Sequence, residues 1–349
     1  MAKKGRIGLD VGSTAVRAVE LVGTPPTVVR ASQVALPPGA VESGEVRDPG
    51  AVSDAIAKLW SEGGFKGRQV WLGVGNQRVV VREISLPYLP EKELRQSLGF
   101  QVQEFIPMPV DDAVLDYHEI GEFEQDDRKM LRLLLVAAQR SMVDLLVQAV
   151  NGARLDPLGI DLVPFALVRS IGASDQGLDL DEGQVEEAIV DIGAHVTNIV
   201  VHARGETRFV RILPSGGRDI TVAIARAAGV DDDVAERLKR GQEVEDAPAP
   251  QQVRQAALQR AAAFVDEVRS SLEFYTAQAK EVQIGRVKVT GGGSRLDGLF
   301  DLMRQRIPVP VEPGGVFSTV AHQLDQADVA AAEPLLAVAI GLALPEEEP

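Results

Sequence analysis

Two distant segments of the chain repeat one pattern. Residues 7–21 (IGLDVGSTAVRAVEL) and 189–201 (IVDIGAHVTNIVV) each consist of an apolar strand, an Asp-x-Gly sequence, a short polar turn and a second strand. Only glycine lets the backbone amides of such a turn approach a phosphate closely. Two copies in one chain predict two related domains whose hairpins face a common ligand.

A third element contains three consecutive glycines. Residues 287–299 (VKVTGGGSRLDGL) predict a β-branched strand, a bare glycine turn and the start of a helix. Taken singly, this is a common strand-to-helix turn of α/β proteins, but after the two hairpins it predicts a surface against which a flat base lies. The P-loop sequence and the G-x-G-x-x-G sequence after the first strand are both absent, so these two alternative nucleotide-binding motifs are excluded.

The hairpin residues suit a magnesium–phosphate ligand. Two carboxylates facing each other across a cleft could hold Mg²⁺ through its waters, while turn amides and hydroxyls bind the phosphates. A single Asp-Gly hairpin could equally be an ordinary turn, and the duplication favours the ligand site. The predicted site residues are Asp10, Gly12, Ser13 and Thr14 in the first copy and Asp191, Gly193 and Thr197 in the second.

Two further residues of these hairpins have two possible roles each. Arg17 either neutralises phosphate charge or caps a surface strand, and His195 either hydrogen-bonds a phosphate or fills its turn. The other histidines, His118, His202 and His322, have no metal-ligand spacing. The sequence therefore predicts no catalytic metal cluster outside the hairpins.

Composition excludes several classes of function. The formal net charge is −15, from 36 basic and 51 acidic residues, so most of the surface repels nucleic acid and anionic lipid. The chain has no cysteine, which rules out disulfides and thiolate zinc sites. The apolar run 335–344 is about half the roughly 20 residues that a membrane span needs, so we expect a buried helix and no direct membrane insertion.

The three elements, in this order, resemble the phosphate-1, phosphate-2 and adenosine motifs of the actin, Hsp70 and sugar-kinase superfamily. Over nearly its whole length the chain is similar to the PilM family of type IV pilus assembly proteins. The similarity is carried by the opening segment 7–21, PSGGRDIT (214–221), AERLKRG (235–241), EVRSSLEFY (267–275) and EPLLAVAIGLAL (333–344). It implies an α/β, actin-like ATPase fold with two duplicated RNase H-like domains and an inserted subdomain of the FtsA/PilM type.

The resemblance also predicts the domain organisation. Domain I is expected at 1–85, 161–185 and 320–349, and domain II at 186–319, with a helical subdomain at about 230–280. Residues 86–160 would form the inserted subdomain, with strands at 114–123 and 128–139 and a helix at about 141–153. The apolar stripe of the long helix after residue 249 is expected to be a core face, with a coiled coil as the minority alternative.

Further ligand contacts follow from the resemblance. Gly216 and Gly217 would lie near the phosphates or ribose, and Glu236 and Lys239 would reach the ribose and adenine of ATP or ADP. Without the resemblance, the latter two would be a solvated helix pair. The adenosine motif comprises Gly291, Gly292, Gly293, Ser294 and Arg295.

One position departs from the family pattern. Relatives usually carry an acid just before the Pro-Phe pair at 164–165, where this chain has Val163. A valine cannot orient an attacking water, and Asp161, two residues earlier, could replace the acid only in a different strand register. We therefore expect nucleotide binding with very slow or no turnover.

The family resemblance implies a cytoplasmic scaffold at the inner face of the membrane. Such proteins bind the N-terminal cytoplasmic peptide of the inner-membrane protein PilN and link it to the assembly motors, and self-association is open. A groove at Leu94, Leu98 and Phe105 is the expected peptide site, unless these side chains only hold their helix on its sheet. The alternatives are an FtsA-like membrane-associated filament, which the acidic LPEEEP tail disfavours, and a small-molecule kinase, for which no carboxylate base is evident.

Overall fold

The computed structural model describes residues 5–172, 185–245, 249–279 and 282–345. The strands are β1 (Arg6–Val11), β2 (Ala15–Val22), β3 (Thr27–Ala35), β4 (Val41–Glu42), β5 (Glu45–Val46), β6 (Gln69–Val74), β7 (Val79–Pro87), β8 (Ala113–Gln125), β9 (Arg128–Gln139), β10 (Asp156–Leu162), β11 (Val185–Ile192), β12 (Thr197–Ala203), β13 (Glu206–Leu213), β14 (Gln283–Thr290), β15 (Val311–Pro313) and β16 (Ala321–His322).

The α-helices are α1 (Pro49–Gly63), α2 (Glu91–Val102), α3 (Arg140–Gly152), α4 (Val163–Leu167), α5 (Gly217–Ala228), α6 (Asp232–Lys239), α7 (Pro250–Gln278), α8 (Leu299–Arg306) and α9 (Gln326–Ala343). A π-helical turn, Val168–Gly172, continues α4, and 3₁₀ turns lie at Val110–Asp112, Gly292–Arg295 and Val316–Ser318. The apolar run 335–344 is thus part of a helix. No helix in the described part of the chain is long and apolar enough to cross a membrane.

The first large sheet has the strand order β10-β6-β1-β2-β3-β16. Strands β1 to β3 form an antiparallel meander, whereas β6 and β10 are parallel to β1. Alternate residues of β2 point to opposite faces, so Val16 and Ala18 pack beneath α1 and α3 while Val19 and Leu21 pack against α9. Helix α1 begins where the Asp48 carboxylate accepts a hydrogen bond from the Ala51 amide.

The second large sheet has the order β13-β12-β11-β14-β15. Strand β11 is buried at every residue after the first, as expected for a strand that is covered on both faces. One face packs against α5, α7 and α8, and the apolar stripe of α7 contributes to this core. The long helix therefore uses its stripe inside the domain, as the sequence predicted.

The other faces of the two sheets meet around α4 and α9. A shared core joins α4 and its π-helical continuation to Ile189, Val200 and Val210 of the second sheet and to Ala337, Val338 and Leu342 of α9. Two close approaches to α9 require glycine: a Cβ at Gly8 would lie 2.0 Å from the Ala339 carbonyl oxygen, and one at Gly341 would lie 1.9 Å from that of Ala166. Backbone packs directly on backbone at this junction.

A third sheet, β7-β9-β8, forms the inserted unit, with α2 on one face. The predicted strands are present, but the unit differs from the predicted segment 86–160 at both ends. Its first strand starts at Val79, and α3 packs beside α1 on the first sheet rather than on the insertion. The second sheet comprises strands between Val185 and Pro313, and β16 and α9 return to the first sheet; residues 173–184 and 346–349 lie outside the described ranges.

The predicted peptide groove at Leu94, Leu98 and Phe105 needs correction. Leu94 and Leu98 are only 1% and 6% exposed, because they face the sheet in the core between α2 and the strands. Phe105 is partly buried and packs on the same core. These residues hold the helix on its sheet, so a partner cannot contact Leu94 or Leu98 without unfolding the insertion.

The close packing at α9 leads to a stability prediction. Gly341→Ala should lower the free energy of unfolding by about 1–3 kcal/mol or more, because the added methyl group would overlap the Ala166 backbone, which cannot rotate away. Gly50→Ala is the matched control: on the exposed first turn of α1 a Cβ would meet only the Asp48 carboxylate, at 3.3 Å, so stability should change by no more than about 1 kcal/mol in either direction. Urea unfolding measures both, and equal effects would contradict the packing argument.

Candidate functional site

The two repeated hairpins have the same register and the same turn. Asp10 pairs with Arg17 across β1 and β2, and Asp191 pairs with Asn198 across β11 and β12. The Gly12 amide donates to the Ala15 carbonyl (3.1 Å), and the Gly193 amide donates to the Val196 carbonyl (2.9 Å). The duplication read from the sequence is therefore also a structural duplication, with one copy in each large sheet.

Both carboxylates line a cavity of about 1490 Å³ between the two sheets. The residue opposite each one reaches back towards it: Arg17 Nη1 lies 3.4 Å from Asp10 Oδ2, and Asn198 Nδ2 lies 3.4 Å from Asp191 Oδ2. The side chain of Arg17 is only 14% exposed, so this residue belongs to the cleft and does not cap a surface strand. Arg17 Nε and Asn198 Oδ1 are buried without a hydrogen-bond partner, which leaves a donor and an acceptor for a polar ligand.

Electrostatics make the pair of acids costly without a cation. Burial raises the pKa of Asp10, and the neighbouring Arg17 opposes that rise. Burial and then the charge of Asp10 raise the pKa of Asp191 to about 7. The described residues contain no group of three or more acidic, histidine or cysteine side chains that could enclose a metal alone. Two carboxylates therefore suit a cation that a ligand or water also coordinates.

Glycines bring backbone close to this cavity. At Gly291 (φ 85°) a Cβ would lie 2.5 Å from Asp191 Oδ1, and at Gly193 it would lie 2.6 Å from the Val196 oxygen. The amides of Gly217 and Arg218 already donate to the carbonyls of Gly193 and Ala194, at 2.9 and 2.8 Å. The start of α5 thus supports the second turn from behind.

Glu236 and Lys239 of α6 face the cavity and are not a solvated helix pair. Lys239 Nζ donates to the Gly217 carbonyl (3.0 Å) and to Thr221 Oγ1 (2.8 Å) and lies 2.5 Å from a Glu236 carboxylate oxygen. Burial lowers the pKa of Lys239. A ligand that entered here would meet side chains already held in place by this network, next to Gly217, which also neighbours Gly293.

Most of the predicted site residues lie around this one cavity. Three do not line it: Thr197 donates from Oγ1 to the Ser215 carbonyl (2.7 Å), Ser294 donates from Oγ to the Gly291 carbonyl (2.7 Å), and Gly216 contacts the Gly193–Ala194 turn. These three shape the turns instead. The cavity is lined by Asp10, Gly12, Ser13, Thr14, Arg17, Asp191, Gly193, His195, Gly217, Glu236, Lys239, Gly291, Gly292, Gly293 and Arg295.

His195 contacts the opposite half of the molecule. Its Nδ1 accepts a hydrogen bond from the Ser43 amide (3.4 Å), at the tip of the β4–β5 hairpin. Burial and the neighbouring Arg218 lower the pKa of His195, so the ring is neutral at pH 7 and can accept this bond. The sequence did not identify Ser43 or Asn198 as site residues, although Asn198 stands in the second hairpin where Arg17 stands in the first.

Val163 lines the cavity at the start of α4 and contacts Gly75. Asp161 does not replace an acid there, since its carboxylate binds Arg169 and accepts the Leu162 amide. In the described part of the cavity wall, the position before Pro164 is therefore apolar. It offers no hydrogen bond to an attacking water.

Comparison with known proteins agrees with this architecture. The family described as type IV pilus assembly protein PilM matches residues 8–347. A solved PilM–PilN type IV pilus biogenesis complex contains a chain that is 29% identical, with a TM-score of 0.86 and 98% of each chain covered. MreB5 of Spiroplasma citri bound to ADP is 14% identical, with a TM-score of 0.56 over 97% of this chain and 94% of that one, which establishes likeness of fold alone.

The cell division protein FtsA of Bacillus subtilis is 26% identical over 201 residues. This match covers 51% of the present chain and 44% of FtsA, so it spans less than half of that relative.

The raised pKa of Asp191 predicts a pH-dependent cost in stability. The folded protein holds the proton of Asp191 more tightly than the unfolded chain does. Below about pH 4 the carboxyl is protonated in both states and its burial carries no ionisation cost. As the pH rises to 7 and above, the unfolded chain loses this proton more readily, and the folded state is destabilised relative to it. Asp191→Asn should therefore raise the free energy of unfolding of the ligand-free protein by about 2–3 kcal/mol more at pH 8 than at pH 5. Urea unfolding at both pH values measures this, with the exposed Asp297→Asn as control; a pH-independent difference would contradict it.

Proposed function

The chain belongs to the PilM family of type IV pilus assembly proteins, and on that premise we propose that it is a nucleotide-binding cytoplasmic scaffold of pilus assembly. It binds the N-terminal cytoplasmic peptide of a PilN-like inner-membrane protein and links that protein to the assembly motor. The observation that carries the proposal is the match to a PilM–PilN complex over 98% of the chain. Association with the membrane then passes through this partner.

The ligand of the cleft is proposed to be ATP or ADP with Mg²⁺. The donor set supports it: Asp10 and Asp191 would hold the cation, and the hydroxyls of Ser13 and Thr14 and the two turns would bind phosphate. Glu236 and Lys239 would bind the ribose and base together with Gly291–Gly293, which line the same cavity. When bound, Mg²⁺ would neutralise both the phosphates and the two buried acids.

Turnover is proposed to be very slow. The chain's own residues bind and orient the nucleotide, but Val163 cannot accept a proton from water, and Asp161 is committed to Arg169. General-base assistance typically contributes about 10²–10⁴-fold in rate. A nucleotide held without this assistance would serve to join the two halves of the molecule.

Removal of either acid tests nucleotide binding. Asp10→Ala and Asp191→Ala should each weaken Mg-ATP binding by at least about tenfold, or about 1.4 kcal/mol, because each removes one side of the cation site. When EDTA removes Mg²⁺, the affinities of the variants for ATP should lie closer to that of the unmodified protein. Asp297→Ala is the control, since it makes the same charge change at an exposed position outside the cavity wall. Binding within twofold of the unmodified protein in both site variants would refute the assignment.

Calorimetric titration tests the scaffold itself. A synthetic N-terminal cytoplasmic peptide of a PilN-like protein should bind with micromolar or tighter affinity, and Mg-ATP should change that affinity because the ligand fixes the relative position of the two halves. A scrambled peptide of the same composition is the control. If neither peptide binds with ATP, with ADP or without nucleotide, the partner assignment is wrong, while the nucleotide result above stands separately.

A further inference from the structure

The β4–β5 hairpin connects the cavity to the second half of the molecule. Val41, Glu42, Gly44 and Val46 line the cavity, and the tip donates from the Ser43 amide to His195. Ser43 (φ 51°) and Gly44 (φ 75°) are both left-handed, the conformation of a tight two-residue hairpin turn. A serine is uncommon there, and its amide contacts the second phosphate-type turn.

The same hairpin is tied to the base of the insertion. Asn76 Nδ2 donates to the Gly44 carbonyl (2.9 Å), and Asn76 Oδ1 accepts from the Arg78 amide (2.9 Å). Glu45 Oε1 lies 2.5 Å from Arg78 Nε, and Arg78 Nη1 donates to the side chain of Gln139. Arg78 immediately precedes β7 and Gln139 ends β9, so this arginine bridges both chain segments that enter and leave the insertion.

The ion pair at this bridge is well placed to transmit movement. The Glu45 side chain is only 7% exposed, so it cannot exchange its partners for water without cost. It also binds Arg47, which lies just after β5 and makes no hydrogen bond or ion pair to the insertion among the described residues. Arg78 and Arg47 therefore share one carboxylate, but only Arg78 extends to the insertion.

We propose that the hairpin Val41–Val46, acting through Glu45 and Arg78, couples ligand binding in the cleft to the position of the inserted subdomain. The inference rests on the proposed function, in that the ligand is a magnesium nucleotide and the partner is a PilN-like peptide. A ligand that contacts the hairpin and the turn at His195 draws the two together. Displacement of the hairpin then pulls on the base of β7 and β9.

A second route between the halves has to be distinguished from this one. Arg208 of the second sheet donates to the Ile120 carbonyl of β8 (3.4 Å), and His118 packs on Phe165, with ring centres 5.6 Å apart. Val81 of β7 likewise packs in one core with Val210 of β13. These contacts bypass the cavity and would report a rigid rotation of the second sheet or of α4. Variants at Arg78 leave them untouched.

Hydrogen–deuterium exchange with and without Mg-AMPPNP tests the coupling. In the unmodified protein, the nucleotide analogue should slow exchange in the hairpin 41–46 and at the base of the insertion, 79–81 and 136–139. In Arg78→Met, the hairpin should still respond, while the response of 136–139 is lost. Residues 79–81 keep the part of their response that follows β13, because Val81 packs in one core with Val210. Arg47→Met is the matched control and should keep both responses, because it removes an arginine from the same carboxylate without cutting the bridge.

Peptide titration measures the same coupling in binding terms. The ratio of PilN-like peptide affinities with and without Mg-AMPPNP should be at least about fivefold in the unmodified protein and in Arg47→Met, and should fall to within about twofold of unity in Arg78→Met. If the methionine variant does not fold, Arg78→Lys replaces it. A lysine keeps a positive charge beside Glu45 but lacks the second guanidinium nitrogen that binds Gln139, so the affinity ratio should again fall to within about twofold of unity.

The outcomes separate the two proposals. The coupling is overturned if residues 136–139 respond in Arg78→Met as they do in the unmodified protein. It is also overturned if Arg47→Met loses the same response, or if the unmodified protein shows no response at 136–139. A peptide that never binds, with the exchange pattern as expected, refutes the partner and leaves the coupling supported. No exchange response anywhere refutes both the nucleotide and the coupling.

Discussion

The core shared by α4 and α9 is the contact on which the two-sheet arrangement depends. It buries residues of the second sheet against both helices, and α9 also packs on the first sheet. At Gly8 the helix lies so close to β1, and at Gly341 so close to α4, that neither glycine admits a side chain. At the other end of this contact, the Pro334 carbonyl accepts hydrogen bonds from the Gly291 amide (2.9 Å) and Thr290 Oγ1 (3.2 Å), which fixes the third glycine-rich element to the same helix. The back of the cleft is therefore tightly packed, whereas Ser43 and His195, which lie in opposite halves, are joined by one polar contact.

This rigid back brings two acids together at a cost. Asp10 and Asp191 lie at the ends of β1 and β11, and their positions follow from strand registers that hydrophobic packing fixes. Arg17 partly compensates Asp10, but Asn198 brings no charge to Asp191. Sites that bind ligands commonly retain such unfavourable arrangements, because the ligand restores the lost stability when it binds.

The sequence allowed the hairpins to be predicted because their signal is local and occurs twice. The fold class followed from the order of the three elements and the family from further segments such as 214–221 and 235–241, and the structural and family matches confirm both. Side-chain direction inside tight turns is a different matter: Thr197 and Ser294 are small polar residues in the predicted loops, yet each bonds a neighbouring carbonyl instead of facing the cavity. The sequence does not specify which way such a hydroxyl turns.

Tertiary packing explains the other differences. The helical spacing of Leu94 and Leu98 shows that one face of α2 is apolar, but it does not show what covers that face, and the sheet of the insertion does. Likewise, the amphipathic pattern of α3 fits the insertion and the first sheet equally well, and only the packing beside α1 assigns it. Asn198 could have been found by aligning the two hairpins, since it occupies the position of Arg17; polar residues within a buried strand have few other reasons to be there.

The absence of an acid at Val163 changes what a bound nucleotide would do in the proposed function. In an enzyme that turns over, hydrolysis limits how long the two halves stay joined. Here Val163 is apolar and Asp161 is paired with Arg169, so no carboxylate is free to activate water at this position. The lifetime of the closed state would then be set by dissociation of the ligand. A ligand of this kind stabilises one arrangement of the cleft, and of any element tied to it, for as long as its concentration exceeds its dissociation constant. That behaviour suits a scaffold, whose task is to present a surface, better than it suits a motor.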